Sequence, residues 1–246
     1  GNKSGVPTVN GSIFFDDDYA GKPLVFVGTV GAMPQKTEHY SSSAVKEQKP
    51  GDKVVMVGGR IGADGIHGAT FSSLELNEDS PATAVQIGDP LTQKKVMDFM
   101  LVARDRGLFS SVTDNGAGGL SSSIGEMAEV TGGARIDLKL APTKYPGLSP
   151  FELMISESQE RMSFSVPESK IDQFQALAQD YNVESTVMGE FTNSGNFEVY
   201  YGDELVALLD LHFLHESLRP MELKAQFNPS LATTNPTYWH GRDLRA

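Results

Sequence analysis

The chain has 246 residues, of which 39% are hydrophobic, enough for one large domain or for one domain and part of a second. The net charge is −12 and no basic patch is visible, so a nucleic-acid partner is not expected. The chain has no cysteine, which excludes disulfides, thiolate zinc sites and a cysteine nucleophile and is compatible with a cytoplasmic location. Its longest apolar runs, such as VALLDLHFL, are short and interrupted by charge, so no membrane partner is expected.

The first 50 residues differ in pattern from the rest. Residues 24–31 (LVFVGTVG) have the composition of a buried strand, and residues 34–52 form a polar stretch typical of a loop. The run KVVMVGG predicts the next strand, so we place a domain boundary near residue 50. Because GNKSGVPTVNGSIFF reads as a loop that leads into a strand in the middle of a domain, we interpret the chain as part of a longer polypeptide.

A glycine-rich segment, GGRIGADGIHGATFSS, follows that strand. Its backbone N–H groups over residues 58–68 could cradle a phosphate, but it lacks the lysine and the Ser or Thr of a Walker loop. The alternative is a tight connection between strands, which glycine also favours. His67 within it is better explained as a structural or surface residue than as a ligand.

The stretch AVQIGDPLTQKKVMDFMLVARDRG predicts a helix with Pro90 in its first turn and Gly107 at its end. The apolar face of this helix is expected to comprise Val96, Phe99, Met100 and Ala103. Gln86 ends a strand-like run just before the helix. Its side chain either points into a crevice at the strand's end or is an exposed edge residue.

The stretch SVTDNGAGGLSSSIGEMAE runs from a strand through a glycine turn into a helix. Asp114 stands at the mouth of that turn, where a helix N-terminus offers free N–H groups and a positive dipole. One interpretation is a magnesium ligand, because Mg²⁺ needs only one or two carboxylates besides substrate oxygens. The other is an ordinary turn or capping residue.

The polar sequence ISESQERMSF joins a short predicted helix to a strand. It places Glu157, Ser158 and Gln159 side by side, and such a trio can hydrogen-bond an amide or hydroxyl of a ligand. On its own, the same sequence is also an ordinary solvated loop.

The C-terminal third predicts an amphipathic helix in SKIDQFQALAQDYN and then strands that an NSGN turn connects. His212 and His215 share a helix face and are interpreted as packing or surface residues. Strands and helices alternate imperfectly, so the sequence predicts an α+β fold with a mixed sheet layered with helices.

Five of these stretches occur in order, and together they resemble the synthetase subunit of phosphoribosylformylglycinamidine (FGAM) synthase. They are GNKSGVPTVNGSIFFD, GGRIGADGIHGATFSS, QIGDPLTQKK, DNGAGGLSSSIGEMAE and SPFELMISESQERM. That family is related to aminoimidazole ribonucleotide synthetase, selenophosphate synthetase and thiamine-phosphate kinase. The resemblance implies a fold like the C-terminal domain of aminoimidazole ribonucleotide synthetase.

The resemblance also implies a domain organisation and a reaction. Residues 1–50 would end an N-terminal ATP-associated domain, 51–210 would form a substrate-side domain, and 211–246 would be a linker or docking tail. The family converts formylglycinamide ribonucleotide (FGAR) to FGAM in purine biosynthesis, with ATP activating the amide oxygen as an iminophosphate that ammonia attacks. The implied cofactors are Mg²⁺ and ATP. The implied partners are FGAR, a glutaminase that supplies ammonia, and the remainder of the synthetase chain.

Carried over by motif, the family's magnesium-binding aspartate falls on Asp114 and its substrate contacts fall on Gln86, Glu157, Ser158 and Gln159. No catalytic residue is assigned, because the family's catalytic histidine lies outside this sequence, and we expect no turnover by these residues alone. Two alternatives remain: a non-catalytic ribotide-binding or docking module, and another member of the superfamily such as a small-molecule kinase.

Overall fold

In a computed structural model, the described part of the chain contains one mixed sheet of seven strands with helices on both faces. The structure describes residues 2–21, 23–68, 85, 87–217 and 222–226. The strands are β1 (Lys53–Gly58), β2 (Ser111–Asp114), β3 (Ala134–Asp137), β4 (Arg161–Val166), β5 (Ser185–Phe191), β6 (Asn196–Tyr201) and β7 (Glu204–Asp210). The helices are α1 (Pro90–Asp105), α2 (Gly119–Thr131), α3 (Pro150–Ile155), α4 (Ile171–Asp180) and α5 (Leu211–Glu216).

The strand order is β2-β4-β1-β5-β3-β6-β7, and among these seven strands only β3 and β6 pair in parallel. The strand β1 lies between β4 and β5 and is buried on both faces, as its unbroken apolar sequence requires. Among the described strands, β2 is a short edge strand that pairs only with β4, and Asp114 lies opposite Met162 at the end of that pairing. The pairing therefore places the end of β2, with Asp114, next to the start of β4.

Two hydrophobic cores lie on opposite faces of the sheet, because alternate residues of β1 point to opposite sides. Val54 and Met56 join the core under α2 and α3, and Val55 and Val57 join the core under α1 and α4. In the second core, the Phe99 ring meets the rings of Phe174 and Phe164 edge-on, at centroid distances of 5.0 and 6.2 Å.

The helix ends follow their sequence signals. Helix α1 begins at Pro90 behind an Asp89 side-chain cap and is followed by Gly107 at φ +61°. Three of the four residues predicted for its apolar face are buried, and Met100 is partly buried. Helix α3 carries a complete capping box between Ser149 and Glu152. The predicted α+β fold with a mixed, helix-layered sheet is confirmed.

The predicted buried strand at residues 24–31 is wrong: these residues form no strand, and their apolar side chains are exposed. Phe26 is 86% exposed and Val30 is 100% exposed. The reason is that no described strand lies beside this segment, so its backbone has no ladder partner and its side chains have no surface to pack against.

The first residues of the segment predicted as a C-terminal tail form helix α5, and Leu211 lies in the core beneath it. His215 Nε2 lies 3.2 Å from the carbonyl oxygen of Gly125 in α2, whereas His212 faces Glu216 on the exposed side of α5. No helix in the described part of the chain is long and apolar enough to cross a membrane.

Candidate functional site

Asp114 is exposed at the end of β2, and its Oδ1 accepts a hydrogen bond from Gly116 N at 3.0 Å. This bond closes a tight turn, as expected if Asp114 is an ordinary turn residue. Within the described residues, Oδ2 forms no hydrogen bond. The turn role and a metal role therefore use different oxygens of the same carboxylate, and they are compatible.

The turn after Asp114 brings the start of α2 into backbone contact with the segment 156–161, named here the acidic loop. Gly118 and Gly119 have φ values of +76° and +57°. A Cβ on Gly119 would lie 2.2 Å from the carbonyl oxygen of Ser156, a separation that real side chains do not reach. Only glycine permits this approach, so the glycine turn serves to seat the acidic loop against the helix start.

Glu157 is the buried carboxylate of the acidic loop, with 3% of its surface exposed. Its Oε1 accepts a hydrogen bond of 3.2 Å from Gly118 N, at the N-terminus of α2. The helix dipole and the free N–H groups there favour a negative charge. Asp114 and Glu157 thus both accept hydrogen bonds from backbone N–H groups of one glycine turn, so the structure joins these two predicted site residues to the same turn.

Ser158 is fully buried, and its hydroxyl is engaged within the protein. The hydroxyl donates to Asp64 Oδ1 at 2.7 Å and accepts from Gly62 N at 3.0 Å. Gln159 is partly exposed, and its Nε2 donates to the carbonyl oxygen of Glu157 at 3.0 Å. Of the predicted trio, Gln159 is therefore the side chain that is open to a ligand, whereas Ser158 fastens the acidic loop to the glycine-rich segment.

The glycine-rich segment 58–68, to which sequence reasoning gave no firm role, lies against the same loop. Gly59 N donates to the carbonyl oxygen of Glu160 at 3.0 Å, and a Cβ on Gly58 would lie 2.1 Å from that oxygen. Gly58 has a φ of +107°, which other residues rarely adopt. The glycines thus permit close backbone packing on the acidic loop, a contact that the sequence did not predict. A cavity of about 310 Å³ adjoins Gly58 and Gly59.

Sequence reasoning missed Asp64 and Lys144, which form an ion pair of 2.8 Å beside Ser158. Burial works to raise the pKa of the Asp64 carboxyl, but the hydrogen bonds from Lys144 and Ser158 outweigh it and hold the pKa below its ordinary value. The sequence signal that could have identified Asp64 is its position within the glycine-rich segment.

Sequence reasoning also missed Glu160, which has a left-handed backbone with φ +58° although it is not glycine. Its carboxylate accepts a hydrogen bond of 2.9 Å from Asp89 N. Burial raises the pKa of the Glu160 carboxyl above its ordinary value, although the bond from Asp89 works against this. The predicted substrate contact Gln86 lies outside the described residues, but Glu160 ties the nearby Gly88–Asp89 backbone to the acidic loop.

Asn115, the residue after Asp114, is a buried polar residue beneath the glycine turn. Its Oδ1 accepts hydrogen bonds from the hydroxyls of Ser123 and Ser163, the latter at 2.9 Å. These bonds join α2 and β4 beneath the glycine turn, whereas the Asn115 Nδ2 is buried without a hydrogen-bond partner among the described residues.

The described residues contain no cluster of three or more His, Asp or Glu side chains that could hold a metal ion alone. Asp114 nevertheless supplies an exposed carboxylate beside a turn, and Mg²⁺ is commonly held by one or two carboxylates together with substrate oxygens. The donor set therefore fits a magnesium ion shared with a bound ligand and does not fit a dedicated protein cage.

Residues 49–202 match the family described as AIR synthase related protein, C-terminal domain. The chain is 40% identical over 218 residues to phosphoribosylformylglycinamidine synthase subunit PurL of Methanosarcina acetivorans, covering 87% of this chain and 30% of that protein. It is 42% identical over 218 residues to the subunit of the same name from Pyrococcus abyssi, with the same coverage. The chain thus spans about 30% of the length of these curated relatives.

Among solved structures, T. maritima PurL complexed with FGAR matches with a TM-score of 0.67 and 32% identity, over 75% of this chain and 31% of that one. T. maritima PurL complexed with ATP matches with a TM-score of 0.61 and 27% identity, over 75% of this chain and 28% of that one. The resemblance predicted from the five ordered motifs is confirmed.

Proposed function

Because the chain belongs to the AIR synthase related protein, C-terminal domain family, we propose that it forms the substrate side of an FGAM synthase. The observation that carries the proposal is the meeting of the Asp114 turn and the acidic loop, through the bond between Gly118 N and Glu157. The PurL relative solved with FGAR supports the choice of ligand. The reaction would be the ATP-dependent conversion of FGAR to FGAM in purine biosynthesis.

The roles of the individual residues follow from their exposure and their bonds. Asp114 would hold Mg²⁺ through Oδ2, because Oδ1 closes the turn. The magnesium ion would neutralise negative charge on the bound nucleotide and ribotide. Gln159 is open to a ligand and would hydrogen-bond the substrate amide or a hydroxyl. Glu157 and Ser158 would shape the site through the backbone, and Gln86 would contact the substrate.

We assign the remaining chemistry to partners of this domain. Residues 1–50 would complete an N-terminal ATP-associated domain, and the exposed apolar side chains at 24–30 would be covered there. Residues 211–246 would link to the rest of the synthetase. ATP would act as cosubstrate, a glutaminase would deliver the ammonia that displaces phosphate from the iminophosphate, and the assembly would work in the cytoplasm.

Calorimetric titration of FGAR into this chain with Mg²⁺ tests the proposal. Asp114→Asn is the sharpest variant, because asparagine still accepts the bond from Gly116 N while it lacks the charge that Mg²⁺ needs. We expect a loss of FGAR affinity of about tenfold or more in Asp114→Asn that vanishes when Mg²⁺ is omitted. Gln159→Ala is expected to weaken binding with and without Mg²⁺.

Asp180→Asn and Gln179→Ala are matched controls, since both residues are exposed on α4. Binding by wild type that neither site variant weakens would refute the assignment of Asp114 and Gln159. Absence of binding by folded wild type, in this chain and in a longer chain that includes the N-terminal domain, would refute the proposed function.

A turnover assay tests the division of labour. With ATP, FGAR and ammonia, this chain alone is expected to form no FGAM, because the residues that the family uses for chemistry would lie elsewhere. Formation of FGAM by these 246 residues would contradict that division. Phosphorylation of FGAR or of another small molecule without ammonia transfer would instead indicate a kinase of the same superfamily.

A further inference from the structure

Arg161 is the first residue of β4 and is 2% exposed. Its Nε donates to the carbonyl oxygen of Ser158 at 2.7 Å, and its Nη2 donates to the carbonyl oxygen of Ser156. These two carbonyls flank Glu157 in the sequence. A single planar guanidinium therefore holds the backbone on both sides of the buried carboxylate.

The backbone of Arg161 contacts the other half of the site. Its carbonyl oxygen accepts a hydrogen bond of 3.1 Å from the backbone N–H of Asn115, the residue after Asp114. The next residue, Met162, lies opposite Asp114 in the β2–β4 pairing. Arg161 is thus the point where the Asp114 turn and the acidic loop are fixed relative to each other.

The burial of this cation is poorly explained by stability alone. In the described part of the chain Arg161 forms no direct ion pair, although the charge of the Asp64 carboxylate acts on it from a greater distance, and its Nη1 is buried without a hydrogen-bond partner. Burial lowers the pKa of its guanidinium to about 10. Burying a cation without a directly bonded carboxylate is costly, and an apolar residue at a buried position is often no less stable. The two carbonyl bonds are what only arginine supplies here.

We propose that Arg161 is a positioning residue for FGAR binding, which fixes the backbone of Glu157 against the glycine turn that follows Asp114. The inference rests on the proposed function, and it assigns a role to a residue that does not itself contact the substrate. Lysine at this position keeps the charge but presents one flexible ammonium, which cannot match the two fixed directions of the guanidinium.

The test compares Arg161→Lys and Arg161→Gln with wild type by FGAR calorimetry in the presence of Mg²⁺, with thermal unfolding measured on the same samples. We expect both variants to fold and FGAR affinity to fall about tenfold or more. Hydrogen exchange is expected to quicken at residues 156–159 and to stay unchanged in the core strands β1 and β5. Arg135→Lys is the matched control, because the half-exposed Arg135 side chain pairs with Glu198 on β6, and neither residue belongs to the acidic loop or to the glycine turn.

Each outcome decides between a positioning role and a structural one. FGAR affinity equal to wild type in folded Arg161→Lys and Arg161→Gln overturns the inference while leaving the proposed function intact. Faster exchange throughout the sheet, or unfolding of both variants, also overturns it, because it would show that Arg161 stabilises the whole domain. Absence of FGAR binding by wild type would overturn the proposed function and this inference with it.

Discussion

Replacing Gly119 with alanine is expected to destabilise the fold and to weaken FGAR binding together. The added Cβ would lie 2.2 Å from the carbonyl oxygen of Ser156, so the acidic loop must move by roughly 1 Å to restore van der Waals contact. A left-handed alanine costs about 1–2 kcal/mol, and forced displacement in a packed site costs about 1–3 kcal/mol more. The expected loss in the free energy of unfolding is therefore about 2–5 kcal/mol.

Gly147→Ala separates the backbone cost from the steric cost. Gly147 also has a positive φ, +96°, but no atom lies within 4 Å of the position that a Cβ would take there. Urea unfolding followed by circular dichroism should give a loss of about 1–2 kcal/mol for Gly147→Ala and a clearly larger loss for Gly119→Ala. Equal losses in the two variants would refute the argument that contact with the acidic loop requires glycine at position 119.

Three further changes probe the side chains around the acidic loop. The pKa of Asp64 is lowered in the folded state, so the ionised carboxylate stabilises the fold above the ordinary carboxyl pKa of about 4. This contribution is lost as the pH falls through the folded pKa. The urea midpoints of wild type and Asp64→Asn should therefore differ at pH 7 and converge in acid. The pKa of Glu160 is raised in the folded state, so ionisation of its carboxyl disfavours the fold as the pH rises through that value. Glu160→Gln still accepts the bond from Asp89 N, and at pH 7 it should unfold at a urea midpoint equal to or higher than that of wild type. A lower midpoint would contradict this reasoning. Ser158→Ala should cost about 1–3 kcal/mol by leaving Gly62 N without its acceptor, and an unchanged urea midpoint would show that this bond contributes little.

Local sequence signals predicted the helices and strands that have characteristic residues at their ends or a continuous apolar run. Proline and glycine bracket α1, which begins and ends where the sequence predicted, and the predicted helix after the glycine turn is α2, with glycines at positive φ at both ends. The run KVVMVGG predicted a strand, and the structure places it as β1 inside the sheet. These features depend on a few neighbouring residues, which is why a single sequence sufficed to predict them.

The strand prediction at residues 24–31 failed for a different reason. Apolar and β-branched composition shows that a segment favours an extended, buried environment, but it does not supply the neighbouring strand. In this structure the extended segment has no described strand beside it, and its side chains remain exposed. The strand order β2-β4-β1-β5-β3-β6-β7 likewise could not be predicted from local sequence patterns, because strand pairing depends on contacts between residues far apart in the sequence.

The acidic loop shows how far a motif can specify a site. The motif identified Glu157, Ser158 and Gln159 as a unit, and in the structure Glu157 bonds the glycine turn that follows Asp114, but the three side chains have unequal exposure. Ser158 points inward because Asp64, far away in sequence, accepts its hydrogen bond, and the loop keeps its path because Arg161 binds the carbonyls that flank Glu157. Neither partner carries a recognisable ligand pattern, since an aspartate in a glycine-rich segment and an arginine at the start of a strand are common in any protein. A motif can therefore predict which residues meet, whereas the division into ligand contacts and supports depends on burial and hydrogen bonds that only the folded chain defines.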